Sequence, residues 1–121
     1  QFEGKVVVVD FWASWCVPCR RSFPWLNTMH EAYEDDGLVI IGVNLDEDRS
    51  EAEAFLEEFP AKFRIHYDET RELAHRFDVM GMPSSYLLGR NGEVISQHIG
   101  FKVKKQDEYE GAIVEALGIS E

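Results

Sequence analysis

Apolar residues fill Lys5 to Phe11 (KVVVVDF) almost without alternation, the pattern of a central strand covered on both faces. From Val17 to about Asp35 the apolar positions Phe23, Leu26, Met29 and Tyr33 follow helical spacing instead, and Gly37 marks the stop. Pro24 falls inside this pattern and predicts a kink. Leu38 to Leu45 (LVIIGVNL) reads as a second buried strand. The helix between them is long enough to cross over, which predicts a right-handed parallel strand, helix and strand unit.

Ser50 followed by Glu53 is a capping-box signal, and Ala52, Phe55, Leu56 and Phe59 then share a helical face before Pro60. Phe63 to Tyr67 alternates like a short strand, and Thr70 to Phe77 reads as a short helix with Leu73, Ala74 and Phe77 inward. Ser85 to Leu88 and Glu93 to His98 flank Arg90-Asn91-Gly92, where Asn-Gly signals a tight hairpin. Tyr109, Ala112, Ile113, Ala116 and Leu117 form the inner face of a closing helix, stopped by Gly118. The summed order predicts an α/β fold, a central mixed sheet with helices on both faces. No linker, internal repeat or low-complexity segment interrupts it, so residues 1–121 are read as a single domain.

Charge narrows the function classes. Twelve Lys and Arg against 23 Asp and Glu give a formal net charge of -11, which repels phosphate backbones and anionic lipid and argues against nucleic-acid binding. Much of that acid, in Asp46-Glu47-Asp48 and in Glu51, Glu53, Glu57 and Glu58, reads as a solvated loop and helix face. No apolar stretch reaches the length of a membrane span. Gln1 to Lys5 lead straight into the first strand and lack the make-up of a signal peptide, so any targeting segment is expected to have been removed or never to have existed.

The chain's two cysteines, Cys16 and Cys19, sit at the strand-to-helix junction with two residues between them. Three chemistries compete for this spacing. A zinc half-site needs two further ligands, yet the closest histidines, His66 and His75, are nine apart, outside the roughly three-to-five-residue gap of a finger. His30, His66, His75 and His98 are therefore read as surface or satisfied residues and the metal set as none. A purely structural disulfide closes almost no loop here and has little to contribute. A reversible dithiol has a mechanism: Cys16 at a helix N-terminus is favoured as a thiolate, and Cys19 one turn inside resolves the mixed disulfide. Pro18 in the first turn removes no needed hydrogen bond. Asp10, at the end of the valine run, is expected to be buried with a raised pKa, placed to take and return the Cys19 proton.

The segment DFWASWCVPC with Pro24, together with GMPSSYLL (81–88), resembles the active-site and cis-proline segments of the thioredoxin superfamily. GVNLD (42–46), FLEE (55–58) and the Asn91-Gly92 hairpin extend the likeness over nearly the whole chain, toward the TlpA and ResA branch of membrane-tethered or secreted bacterial members. The resemblance implies a thioredoxin-like fold in which Cys16 is the exposed nucleophile, Cys19 the resolving thiol and Asp10 the buried acid, although relatives in this branch often lack that acid. It implies Trp15 flanking the disulfide and a cis peptide between Met82 and Pro83. It also implies that Trp15, Met82 and Pro83 contact an extended substrate segment, with Val17 and Pro18 supporting the site. No cofactor is implied beyond the redox-active pair. Two departures are visible. The branch carries an extra strand or hairpin before the first strand, and this sequence begins after it, as a trimmed or variant member would. Ser84 stands where members devoted to cytochrome maturation often have an acidic residue.

Direction of electron flow depends on how strongly the Cys16 thiolate is stabilised. Val17-Pro18 offers no imidazole or cation, and Arg20 and Arg21 are read as solvated. The expected potential therefore lies nearer the thioredoxin value of about -270 mV than a strong oxidant's about -120 mV, which makes a protein-disulfide reductase the leading reading. The alternatives are a disulfide oxidase or isomerase and a copper(I)-binding metallochaperone-type domain, since a dithiolate is a soft ligand. Expected partners are protein substrates carrying disulfides or thiols and an upstream thiol electron donor, membrane-bound in this branch, with the chain itself a monomer. The resemblance implies a periplasmic or extracytoplasmic location, tethered through a segment outside this sequence, with the cytoplasm as the alternative.

Overall fold

The computed structural model describes residues 4–68, 70–79, 81–100 and 105–118. The reading of Gln1 to Glu3 as a lead into the first strand falls outside them. Strands β1 (Val6–Trp12), β2 (Leu38–Asn44), β3 (Arg64–Tyr67), β4 (Ser84–Leu88) and β5 (Val94–Ile99) form one sheet in the order β3-β2-β1-β4-β5. β1 pairs in parallel with β2, and β2 with β3, while β4 lies antiparallel between β1 and β5. The helices are α1 (Val17–Tyr33), α2 (Arg49–Glu58), α3 (Glu72–Arg76) and α4 (Gln106–Leu117). The expected mixed sheet and the order of its elements are present.

β1 is buried at every position because it is central and covered on both faces. Val6, Val8 and Trp12 point toward α1, α2 and α4, where Phe23, Leu26, Phe55 and Ile113 meet them. Val7, Val9 and Phe11 point the other way, onto a smaller cluster with Tyr86 to which Leu73, Ala74 and Phe77 of the α3 segment add. Trp12, Phe23 and Phe55 form a mutual aromatic triad with centroids 4.9–5.1 Å apart, a source of packing energy beyond simple burial. This triad fixes the end of β1 against the start of α1, the junction that carries both cysteines.

One local reading is corrected and two are refined. α2 is capped by Asp48, whose carboxylate accepts the Ser50 N–H, and not by a Ser50–Glu53 box. The carboxylate two residues upstream is the stronger acceptor and draws Ser50 into the first turn, where its hydroxyl also donates to Asp48. The β4–β5 hairpin exists, but its turn runs from Gly89 to Gly92, and Gly92 alone of the Asn-Gly pair takes positive φ. Asn91 accepts the Glu93 N–H instead, and the register shifts at Leu87 and Leu88. Finally, α1 ends at Tyr33 and passes into a single 3-10 turn, Glu34–Asp36, before left-handed Gly37. It continues through Pro24, which is exposed.

Candidate active site

The strand-to-helix junction builds the site. β1 ends at Trp12, the Cys16 N–H donates to the Ala13 carbonyl to close a turn, and Cys16 becomes the N-cap of α1 with extended backbone angles. Its Sγ accepts the Cys19 N–H at 3.3 Å, so a free backbone donor of the helix start already points at the sulfur. Negative charge developing on Sγ would meet that donor and the positive end of the helix dipole. Pro18 occupies the first turn, as read from the sequence. Cys16 and Cys19 are joined as a disulfide with their Cα atoms 5.3 Å apart.

The expectation of an exposed Cys16 needs correcting. It is 4% exposed, against 0% for Cys19, so the two differ in the expected sense but only slightly. The exposed groups are its neighbours: Trp15 at 62% and Val17 at 54% stand out on either side and form the rim. Arg20 and Arg21 are also exposed, and the Arg20 guanidinium lies over the Phe59 ring at 5.8 Å.

Asp10 lies on β1 between Val8 and Trp12, so its side chain points to the same face as α1. It is 1% exposed. Burial raises its pKa from 3.8 to about 7, opposed by a hydrogen bond from the Ser85 hydroxyl to Oδ1 at 2.6 Å. Oδ2 has no partner among the described residues. A buried carboxylate balanced near neutrality, on the face that receives the inner side of α1, is suited to accept and return a proton. Ser85 was not among the residues picked from sequence. Its role follows from the antiparallel register that sets it opposite Asp10.

Asp46 was also missed. Read as part of a solvated acidic loop, it is 4% exposed and accepts from the Ser14 N–H at 2.9 Å, the Ser14 hydroxyl at 2.7 Å and the Asn44 amide at 2.8 Å. It thereby pins the turn that delivers Cys16 to the end of β2. The only sequence hint was an Asn and an Asp two apart just past a buried strand.

The Met82–Pro83 peptide is cis, Pro83 is buried, and the Ser84 hydroxyl donates back to the Gly81 carbonyl across this turn. Met82 packs against the core cluster that contains both cysteines. Trp15, Met82 and Gly81 line one end of a surface groove of about 460 Å³, with Leu45, Arg71, Ala74, His75, Asp78 and Val79 along it. Of the remaining histidines, His66 and His75 are exposed, His30 pairs with Glu34, and His98 packs on Tyr109. Trp25 also packs on Tyr109, joining α1 to α4.

Comparison with known proteins agrees with this geometry. A family model described as Redoxin matches residues 1–113. The thiol-disulfide oxidoreductase ResA of Bacillus thuringiensis subsp. konkukian is 32% identical over 110 residues, covering 90% of this chain and 64% of that protein. ResA of Geobacillus kaustophilus is 34% identical over 107 residues, covering 88% of this chain and 61% of its own length. The chain thus spans less than two thirds of these curated relatives. Among solved structures, a candidate thiol:disulfide interchange protein DsbE from Chlorobium tepidum superposes with a TM-score of 0.94 at 44% identity, over 97% of this chain and 83% of that one. StoA from Bacillus subtilis gives 0.76 at 27%, over 89% and 84%.

Proposed function

The chain belongs to the redoxin family, and from that premise we propose that it is a thiol-disulfide oxidoreductase that reduces disulfides in protein substrates. The observation that carries the reading is the Cys16 sulfur at the N-cap of α1, bonded by the Cys19 N–H and disulfide-linked to Cys19. In the reduced state Cys16 attacks a substrate disulfide as a thiolate, which forms the Cys16–substrate bond and expels one substrate sulfur. Cys19 then gives its proton to Asp10 and attacks Cys16 Sγ, releasing the second substrate sulfur and leaving the Cys16–Cys19 disulfide. Two electrons pass from the pair to the substrate, and an upstream thiol donor must restore them. The groove that Trp15 and Met82 line at one end receives the extended substrate segment.

We further propose an extracytoplasmic location, which likeness to ResA and DsbE supports, together with a donor at the membrane and a monomeric domain. Among the described residues no helix is long and apolar enough to cross a membrane. Trapping tests the reading. Cys19→Ser should accumulate a mixed disulfide through Cys16 when mixed with a disulfide-containing protein, and Cys16→Ser should not. Equal trapping by both variants, or by neither, would overturn the assigned roles.

A further inference from the structure

Two buried polar atoms, Asp10 Oδ2 and Ser96 Oγ, have no hydrogen-bond partner among the described residues. Both residues line one small cavity, together with Ser85 and His98. The strand register explains the grouping: Asp10 pairs with Ser85 and Ser85 with His98, so three polar residues form a row from the central strand to the edge. Ser96 sits in the adjacent row, opposite Leu87. The cavity measures about 30 Å³, above the roughly 10–15 Å³ that one water needs, and its unpaired polar atoms make it a site for water where an apolar void of that size would stay dry.

We propose that this cavity is the route by which the Asp10 proton reaches solvent: a water held between Asp10 Oδ2 and Ser96 Oγ takes the proton and passes one on to His98 at the edge strand. The inference rests on the reading of Asp10 as the proton acceptor for Cys19. The transfer moves no electrons. Asp10 loses a proton, His98 gains one, and His98 then gives it to solvent or buffer. The other titratable residues lining the cavity are Tyr109 from α4 and Tyr86 from β4, whose ring packs on Phe11 and Phe77 on the opposite face of the sheet, while α1 contributes Ser22 and Trp25, which do not titrate. The Tyr86 hydroxyl is engaged by the Phe77 carbonyl and the Gln97 amide. Burial first and Lys105 second hold the His98 pKa below the ordinary histidine value, against an opposing pull from Glu108, so the ring is neutral and able to accept. Ser96 is a positioning residue in this scheme, and His98 is the outlet.

The test uses the whole chain with Ser96→Val, Ser96→Ala and His98→Gln, following the Asp10 carboxyl by carbon NMR and the rate of disulfide exchange against pH in dilute buffer. Ser96→Val fills the cavity and removes the bridging donor, so the Asp10 midpoint and the pH profile of exchange should both move upward together, with Ser96→Ala shifting them in the same direction. His98→Gln should slow exchange several-fold, and added imidazole buffer should restore it. An unmoved Asp10 midpoint in both serine variants, or a His98→Gln rate equal to that of the unsubstituted chain, would overturn the route. If the unsubstituted chain exchanges normally in those experiments, only this inference falls; if it exchanges no disulfides at all, the functional reading falls first.

Discussion

Asp10 shows how one side chain can join stability to chemistry. Its folded pKa of about 7 lies above its unfolded value of 3.8, so the folded state holds an extra proton between those limits. Below that window both states are protonated and burial of the carboxyl carries no ionisation cost. As pH rises through it, folding loses stability, and above about pH 7 the whole penalty is present, on the order of 4 kcal/mol. Asp10→Asn should therefore stabilise the fold against urea at alkaline pH and gain little near pH 4. A gain of equal size at both pH values would show that Asp10 titrates as an ordinary surface acid. The same substitution should abolish the rise in exchange rate through neutral pH, measured as the rate of mixed-disulfide resolution. Asp10 and both cysteines were legible in the sequence because strand and helix periodicity place them at one junction. Ser85 and Ser96 were not, since only the pairing of β1, β4 and β5 brings them to Asp10.

The elements were read to within a few residues, because central strands and amphipathic helices announce themselves by period. What escaped was the tie between elements. Asp46 follows β2, yet it acts 32 residues away, on the Ser14 turn. Nothing in the local run Asp46-Glu47-Asp48 separates a buried anchor from two solvent-facing acids until the strand ends are placed side by side. Asp46→Ala leaves the Ser14 and Asn44 donors without their acceptor, at a cost of about 1–3 kcal/mol per buried group left unsatisfied. Chemical denaturation should report that loss, and exchange should slow by more than the drop in folded population because the Cys16 turn is no longer held. Gly42 on β2 gives a second check. A Cβ there would lie 3.0 Å from Phe63 and 3.1 Å from Trp12 Nε1, both inside the aromatic core. Gly42→Ala should destabilise by about 1–3 kcal/mol through overpacking and disturb Trp12 fluorescence. An unchanged denaturation midpoint would mean the aromatic cluster yields more easily than its packing indicates.

At the scale of the whole molecule, the formal net charge of -11 surrounds a site whose nearby cations are Arg20, Arg21 and Arg71. Encounter with acidic protein substrates should quicken as salt is added and encounter with basic ones should slow, measured as second-order exchange rates against ionic strength. Slopes of the reverse signs would mean that the local cations, not the global charge, govern approach. The central claim is that the pair donates electrons, and it rests on a Cys16 thiolate held by one helix terminus with no imidazole or cation between the cysteines. Equilibrating the chain against defined dithiothreitol or glutathione buffers, read through Trp12 and Trp15 fluorescence, tests it directly. A midpoint near about -270 mV is the predicted result, and one above about -180 mV, in the range of isomerases and oxidants, would contradict the reductase reading.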